Sequence, residues 1–159
     1  MPGIYEIDKL DREILEILIK DAKVPYTDIA RRLIVSPGTT HVRMKRMERL
    51  GIVRGATLIL DPARIGYDLT AFIGIYLIKG SAYSEVIKEI DKIPEIVEAY
   101  FTTGEYSIFA KVICKNTEHL REVINDQLQT INGISRTETI ISLGESIKKQ
   151  IPINTDQNE

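Results

Sequence analysis

A concentration of basic side chains in residues 31–54 is the feature of the sequence with the clearest chemical meaning. This segment has seven Lys or Arg residues and a single acid, Glu48, which gives a local charge of +6. Cations at this density are typical of a surface that binds a polyanion such as nucleic acid. The alternative is an ordinary solvated helix face, because bases near a helix carboxyl end also complement the helix dipole.

The charge of the whole chain conceals this basic segment. The 159 residues have a formal net charge of -2. Residues 1–60 hold 11 bases and 8 acids, a net of +3, whereas residues 61–159 hold 10 bases and 15 acids, a net of -5. The change of sign predicts two domains, of which the first carries the basic surface.

A second group with possible chemistry lies in residues 100–107, which read YFTTGEYS. Gly104 permits a tight turn, and hydroxyl groups on Thr102, Thr103, Tyr106 and Ser107 are expected to crowd around it. Amides and hydroxyls of this kind can bind the carboxylate of an amino acid, with an acid or carbonyl taking the ammonium. Alternatively, these are simply good strand formers around a glycine turn. The residues alone leave both interpretations open.

Groups for catalysis or metal binding are sparse. Cys114 is the one cysteine and lies in an apolar segment, while His41 and His119 have no zinc-site spacing. The sequence has no Ser/His/Asp set, phosphate-binding glycine loop or paired acid motif. We therefore expect no enzymatic activity, no catalytic residue, no metal and no cofactor. Two alternatives to a DNA-binding protein are a small ferredoxin-like enzyme, which the lack of catalytic motifs disfavours, and an amino-acid-binding module, which would not need the basic segment.

Three helices are predicted to position the basic residues. Asp8 caps the first, and Thr27 caps the short second helix with Ile29, Ala30 and Leu33 as its buried face. The third begins at Ser36-Pro37, a pair suited to a helix start, and ends at Gly51. The apolar face of the first helix is formed by Leu10, Ile14, Leu15, Leu18 and Ala22.

The third helix has a buried stripe and an opposite cationic side. At about 100° per residue, Thr40, Met44 and Met47 face the other helices. Three short helices ending in a cationic one indicate a helix-turn-helix, whose last helix fits the DNA major groove. Phosphate contacts are predicted for Arg31, Arg32, Lys45 and Arg49, and base contacts for Thr39, Val42, Arg43 and Arg46, with Ser36 at the helix start as a further DNA-binding residue.

The rest of the chain has an alternating α+β pattern. Residues 52–60 are predicted to be an extended segment that completes a winged-type domain of residues 1–60, and residues 61–69 form a linker. Residues 70–144 then give strand 70–78, helix 84–92, strands 96–103 and 106–114, helix 118–131 and strand 134–143. This βαββαβ order predicts a ferredoxin-like sandwich with both helices on one face of an antiparallel sheet.

The sheet is expected to pair with a second copy of the chain. Its strands are apolar on both sides, for example Phe72 and Tyr76 against Ile73 and Ile75, whereas the helices cover only one face. We therefore expect a homodimer. The polar, proline-broken tail of residues 145–159 is expected to be disordered or to reach a neighbouring molecule.

Membrane insertion and secretion are not expected. No apolar run approaches the roughly 18 residues of a spanning helix. The start of the chain, MPGIYEIDKLDRE, has acids where a secretory signal has a basic and then an apolar stretch. These features predict a cytoplasmic protein.

The whole pattern resembles the Lrp/AsnC (feast/famine) family of transcriptional regulators. The resemblance extends over about residues 7–143 and rests on LDREIL, KDAKVPYTDIARRL, VSPGTTHVRMKRMERLGIV, GYD and EAYFTTGEYSIFAKV. The asparagine-responsive AsnC branch is the most similar, as FIGI, QTI and RTET also indicate. Many family members have aspartate where Ser107 stands, which favours the asparagine branch over a leucine-responsive one.

The resemblance implies properties beyond those given by spacing. Such regulators bind double-stranded DNA as dimers, and their ferredoxin-like (RAM-type) domain assembles the dimers, often into octamers. A small amino acid, asparagine by this resemblance, is held between dimers. The implied effector-binding residues of this chain are Tyr100, Thr102, Gly104, Tyr106, Ser107 and Gln129.

Overall fold

The computed structural model describes residues 6–153, and the chain divides into two compact units. The first unit contains residues up to 59 together with the segment from 148 onward, and the second contains residues 60–147. The basic segment belongs to the first unit, whereas the hairpin of residues 100–107 belongs to the second. Each unit has its own hydrophobic core.

Three helices form the first unit: α1 (Lys9–Lys20), α2 (Tyr26–Leu33) and α3 (Pro37–Arg49). They enclose a core in which Ile14, Ile29 and Met47 are almost completely buried. Thr40 and Met44 are also buried, so the predicted inner stripe of α3 is confirmed. Asp8 caps α1 in a reciprocal capping box with Asp11, in which each side chain accepts a hydrogen bond from the other residue's backbone amide.

Two details of the predicted helices are wrong. Helix α1 ends at Lys20 because Asp21 is extended, and Ala22 is therefore exposed instead of lying on the buried face. The N-cap of α2 is Pro25, with no side-chain cap, rather than Thr27. Proline fixes a φ that suits this entry to the helix, so a threonine cap is not required there.

The segment after α3 forms no strand among the described residues. Ile52 and Val53 pack against the helical core. The chain from 54 to 60 then has no strand partner, and the side chains of Leu58 and Ile59 are largely exposed. A strand needs a neighbouring ladder for its backbone groups, and the described chain supplies none here. The segment predicted to be extended therefore pairs with no other strand among residues 6–153.

The second unit has the predicted βαββαβ order. Its elements are β1 (Leu69–Leu77), α4 (Tyr83–Ile90), β2 (Ile96–Phe101), β3 (Ile108–Cys114), α5 (Thr117–Glu122) and β4 (Ile134–Ile141). The four strands are antiparallel in the order β2-β3-β1-β4, with Ile73 opposite Ala110 and Thr139 in the register of the central strands. The ferredoxin-like α+β prediction is confirmed.

One face of this sheet forms the core of the second unit. Ile73, Ile75 and Ile108 are fully buried and pack in one cluster with Val86 of α4 and Leu120 of α5. The predicted long helix of residues 118–131 is not uniform. Asn116 caps α5, which continues as a π-helical turn over Val123–Gln127 and a 3₁₀ turn over Leu128–Thr130.

The carboxyl-terminal segment has a contact that its polar composition concealed. Ile153 is partly buried and packs against the hydrophobic core of the helical unit. The contact involves Ile153 alone, because residues 145–152 are exposed and have no helix or strand. The remainder of the predicted tail, residues 154–159, lies outside the described residues.

The turn between α2 and α3 generates a stability prediction. Ile34 has a left-handed backbone (φ 57°) and is 93% exposed. A β-branched residue in this conformation costs about 1–2 kcal/mol, of which glycine's extra unfolded-state entropy would offset about 0.5–1 kcal/mol. Ile34→Gly should therefore raise the free energy of unfolding by about 0.5–1 kcal/mol, measured by urea denaturation.

The matched control makes the opposite change at Gly51, which also has a positive φ of 72° and open space around its Cα. Gly51→Ala should destabilise the protein. A lower stability for Ile34→Gly would contradict the backbone account of this turn.

Candidate nucleic-acid interface and effector site

The amino-terminal end of α3 is fixed by its serine cap. The Ser36 hydroxyl oxygen accepts a hydrogen bond from the Thr39 amide at 3.0 Å, and its Oγ lies 2.8 Å from Thr39 Oγ1. Pro37 occupies the first helical position, where no amide donor is needed. Ser36 and Thr39, both predicted to contact DNA, thus define where α3 begins.

Most of the other predicted DNA-binding side chains are exposed. Val42 is exposed on α3, and Arg32 is exposed on α2. Arg31 pairs with Asp28 at 3.1 Å and Lys45 with Glu48 at 3.1 Å, both as surface pairs three residues apart. Arg49 donates from Nε to the Lys45 carbonyl at 3.4 Å. Surface pairs of this type are weak, so a phosphate can replace the acid.

Arg43 occupies a different position from the one predicted. Its side chain is only 28% exposed, and its Nη1 donates to Asp8 Oδ2 and, at 3.2 Å, to Asp11 Oδ1. The guanidinium therefore links α3 to the start of α1. Arg46 is more exposed, at 48%, and its Nη1 lies 3.7 Å from Asp11 Oδ2. Arg43 is therefore paired within the unit, and its base contact stays a prediction.

The pKa of Asp8 agrees with its pairing to Arg43. Partial burial alone would raise the pKa of the Asp8 carboxyl, but the hydrogen bond from Arg43 and the Asp11 amide lower it below its ordinary value. Asp11 lies in the first turn of α1, where an acid also complements the positive end of the helix dipole. No signal in the sequence joined it to an arginine 32 residues later.

The hairpin between β2 and β3 brings together part of the predicted effector site. The Thr102 amide donates to the Ser107 carbonyl at 3.1 Å, and the Thr102 hydroxyl donates to the Tyr106 carbonyl at 2.8 Å. Gly104, at the tip, has φ 106°, a conformation that side chains strongly disfavour. These bonds give the hairpin a defined shape with an exposed tip.

The two remaining members of the predicted effector set lie on separate elements. Tyr100 is exposed on β2, and its hydroxyl donates to Glu98 at 2.6 Å, which raises the Tyr100 pKa. Gln129 is exposed in the 3₁₀ turn after α5.

The Tyr106 hydroxyl does not join the hydroxyls around the turn as predicted. Its ring covers Gly74, where an added Cβ would meet the ring at 2.4 Å, and its hydroxyl donates to Glu138 Oε2 at 2.9 Å. Tyr76 donates to the other oxygen of Glu138 at 3.1 Å, and Arg136 lies 3.1 Å from the same carboxylate. The hydrogen bond to Glu138, followed by burial, raises the Tyr106 pKa. The sequence did not identify Glu138.

The side of the sheet opposite the core carries mixed chemistry. Phe72 and Phe109 stack with ring centroids 5.7 Å apart, and Ile140 is about half exposed. The Glu138 cluster lies along the same strands. This face therefore carries apolar side chains together with a polar cluster that includes the edge strand β4.

Cys114 and His119, for which no catalytic role was expected, contact neighbouring residues of the sheet unit. Cys114 is fully buried, and burial, followed by the nearby Glu95 charge, raises the pKa of its thiol to about 11. His119 accepts a hydrogen bond from the Lys115 amide at Nδ1, and its Nε2 lies 3.1 Å from Glu95 Oε1. Residues 6–153 include no cluster of three or more acids, histidines and cysteines able to hold a metal. No helix in that range is long and apolar enough to cross a membrane.

Comparison with known proteins agrees with both units. Residues 7–54 match the model of a winged helix-turn-helix DNA-binding domain, and residues 70–152 match that of the Lrp/AsnC ligand binding domain. The regulatory protein AsnC of Haemophilus influenzae is 44% identical over 148 residues, which are 93% of this chain and 99% of that protein. This chain belongs to the Lrp/AsnC family.

Other relatives support the same assignment. The HTH-type transcriptional regulator FL11 of Pyrococcus furiosus is 39% identical over 90% of this chain and 92% of its own length. The solved structure of Escherichia coli AsnC, 42% identical, superposes with a TM-score of 0.89 over 94% of this chain and all of that one. The chain is accordingly a DNA-binding transcriptional regulator of the amino-acid-modulated Lrp/AsnC type.

The buried cysteine yields a prediction about reactivity. Because the thiolate is the nucleophile and the Cys114 pKa is raised to about 11, the native thiol should react with iodoacetamide at pH 7.5 at least about tenfold more slowly than the thiol of the urea-unfolded chain. Mass spectrometry of timed samples measures both rates. Equal rates would show that the Cys114 thiol is accessible in the native protein and that burial does not raise its pKa.

Proposed function

We propose that two copies of this chain bind a near-palindromic operator through α3 of each copy. The observation that carries this proposal is the capped helix α3, which buries one stripe and keeps Val42, Lys45, Arg46 and Arg49 on its exposed sides. A helix of this kind fits a major groove about 12 Å wide. Two such helices call for half-sites about 34–36 Å apart or a multiple of that spacing.

In this proposal, the contacts to DNA divide into two kinds. Arg31, Arg32, Lys45 and Arg49 contact phosphates, which set affinity and register. Thr39, Val42 and Arg46 contact base edges, with Arg46 suited to guanine because its guanidinium can donate two parallel hydrogen bonds.

Salt dependence tests the phosphate contacts. A dimer with roughly 6–10 such contacts should lose about 10³–10⁵-fold in affinity between 50 and 200 mM salt because bound counterions are released from the DNA. Fluorescence anisotropy with an operator selected from a random duplex library measures this. An affinity that stays flat with salt would reject the proposed interface.

Two arginines of α3 should respond differently to substitution. Arg49→Ala should weaken binding to all sequences alike and reduce the salt slope by about one, because it removes a phosphate contact. Arg46→Ala should relax the preference at one base position, at about 1–3 kcal/mol. Competition binding against operators with single base changes distinguishes the two. Identical effects of both substitutions would contradict the division of roles.

The proposed effector is a small amino acid, with asparagine favoured by the similarity to AsnC proteins. The site is built around the hairpin of residues 100–107 at Tyr100, Thr102, Gly104, Tyr106 and Ser107, with Gln129 reaching in. Backbone amides at the exposed tip are available for the carboxylate. No cofactor is part of this proposal. Catalysis is not part of it either, and the named relatives are regulators.

Self-association is the proposed link between effector and DNA. The side of the sheet opposite the core, with Phe72, Phe109 and Ile140, is apolar enough to pair with a second copy. The resulting dimers then assemble into larger species, as far as an octamer. An effector held between dimers can act only by preferring one assembly. We place this activity in the cytoplasm, because the named relatives are bacterial and archaeal regulators.

Asparagine should therefore change the assembly more than the fit of one helix to one half-site. Sedimentation velocity with and without asparagine should show a shift between dimer and larger species, whereas affinity for an isolated half-site stays constant. Gly104→Ala strains the tip of the proposed effector site and should therefore remove the asparagine-dependent shift. Identical species and identical operator affinity with and without asparagine would reject this coupling.

A further inference from the structure

One carboxylate of α1 contacts two arginines of α3. Asp11 is 1% exposed, its Oδ1 lies 3.2 Å from Arg43 Nη1, and its Oδ2 lies 3.7 Å from Arg46 Nη1. Asp8 also pairs with Arg43 and accepts the Asp11 amide hydrogen bond at 2.9 Å. The two oxygens of Asp11 are thus divided between a paired arginine and a more exposed one.

We propose that Asp11 is a positioning residue for base recognition by Arg46, with Arg43 as its structural partner. The inference rests on the proposed DNA contact of Arg46. It assigns part of the sequence specificity of α3 to a buried acid on α1 that itself never touches DNA. It also assigns Arg43, the most buried cation of the basic segment, to holding the acid rather than to binding DNA.

The geometry explains why an acid in this place can direct Arg46. An arginine side chain has many rotamers, and a base contact requires its planar guanidinium in one orientation. Asp11 is held from two sides, by the capping box at the start of α1 and by Arg43. It is therefore a fixed negative charge beside Arg46, and a side chain restrained before binding loses less freedom on binding.

A double variant distinguishes a role of Asp11 in positioning Arg46 from a role in the stability of the fold. Removal of Arg43 alone would leave the buried Asp11 charge without its closest cation, which is strongly destabilising. Replacing both partners by neutral side chains of similar shape leaves no buried unpaired charge, because Asp8, the other carboxylate paired with Arg43, is about half exposed to water. The double variant Asp11→Asn with Arg43→Gln therefore keeps the fold while it removes the carboxylate from Arg46.

The test is base preference on the operator selected from a random duplex library. The position that Arg46 reads is first defined with Arg46→Ala. At that position Asp11→Asn and the double variant should each lose at least about fivefold of the preference for the best base, the lower end of what one good base contact supplies. The salt slope should not change, because the proposed phosphate-binding cations remain.

Asp28→Asn is the matched control. It makes the same acid-to-amide change beside another basic residue, Arg31, but in an exposed surface pair. Base preference should stay within the error of the wild type. Thermal melting of every variant checks that it is folded at the assay temperature.

The outcomes separate this inference from the proposed function. If Arg46→Ala relaxes the base preference but the folded double variant keeps it, Asp11 has only a structural role and the inference is wrong. If Arg46→Ala leaves every preference unchanged, the proposed DNA contact of Arg46 fails, and the positioning role fails with it. If both Asp11 variants are unfolded, the acid is needed for the fold itself, which also overturns the inference.

Discussion

Apolar packing holds the helical unit together, and the pair between the buried Asp11 carboxylate and Arg43 favours one register of α3 on α1. Hydrophobic contacts of Met44 and Met47 bring α3 onto α1 and α2, but apolar packing has little directional preference. A buried acid is tolerated only where a cation is placed correctly, so the pair with Arg43 penalises other registers of α3. The same contact sets which cations remain available on the exposed side.

The sheet unit separates its two tasks by face. One face packs against α4 and α5 and holds the unit together. The opposite face has aromatic stacking around the carboxylate of Glu138, to which both Tyr76 and Tyr106 donate. Because Tyr106 also belongs to the β2–β3 hairpin, a ligand at the tip and a partner on this face would act on connected residues. In the proposed function, this connection is the physical route by which assembly and effector binding influence each other.

The sequence was sufficient for the order of elements and for the inner stripe of α3, because both follow from local periodicity. It was insufficient where long-range contacts decide. Arg43 sits on the flank of the helical wheel, and only the approach of Asp8 and Asp11 shows that it is paired. Tyr106 likewise reads as a turn hydroxyl until Glu138, 32 residues later, accepts its hydrogen bond. Residues 52–60 have strand-forming side chains, but a strand depends on a partner that the described chain lacks.

The central claim is that α3 of each copy lies in a major groove of the operator. Its most direct test is DNA cleavage by an iron chelate tethered to α3. In a Cys114→Ala background, the chelate is attached to His41→Cys, which is exposed on α3 and is not a proposed DNA contact, or to Lys88→Cys, which is exposed on α4. With operator DNA, the probe on α3 should cleave in two clusters about 34–36 Å apart or a multiple of that spacing, each centred on a major groove. Absence of clustered cleavage from α3, or the same pattern from α4, would contradict the account.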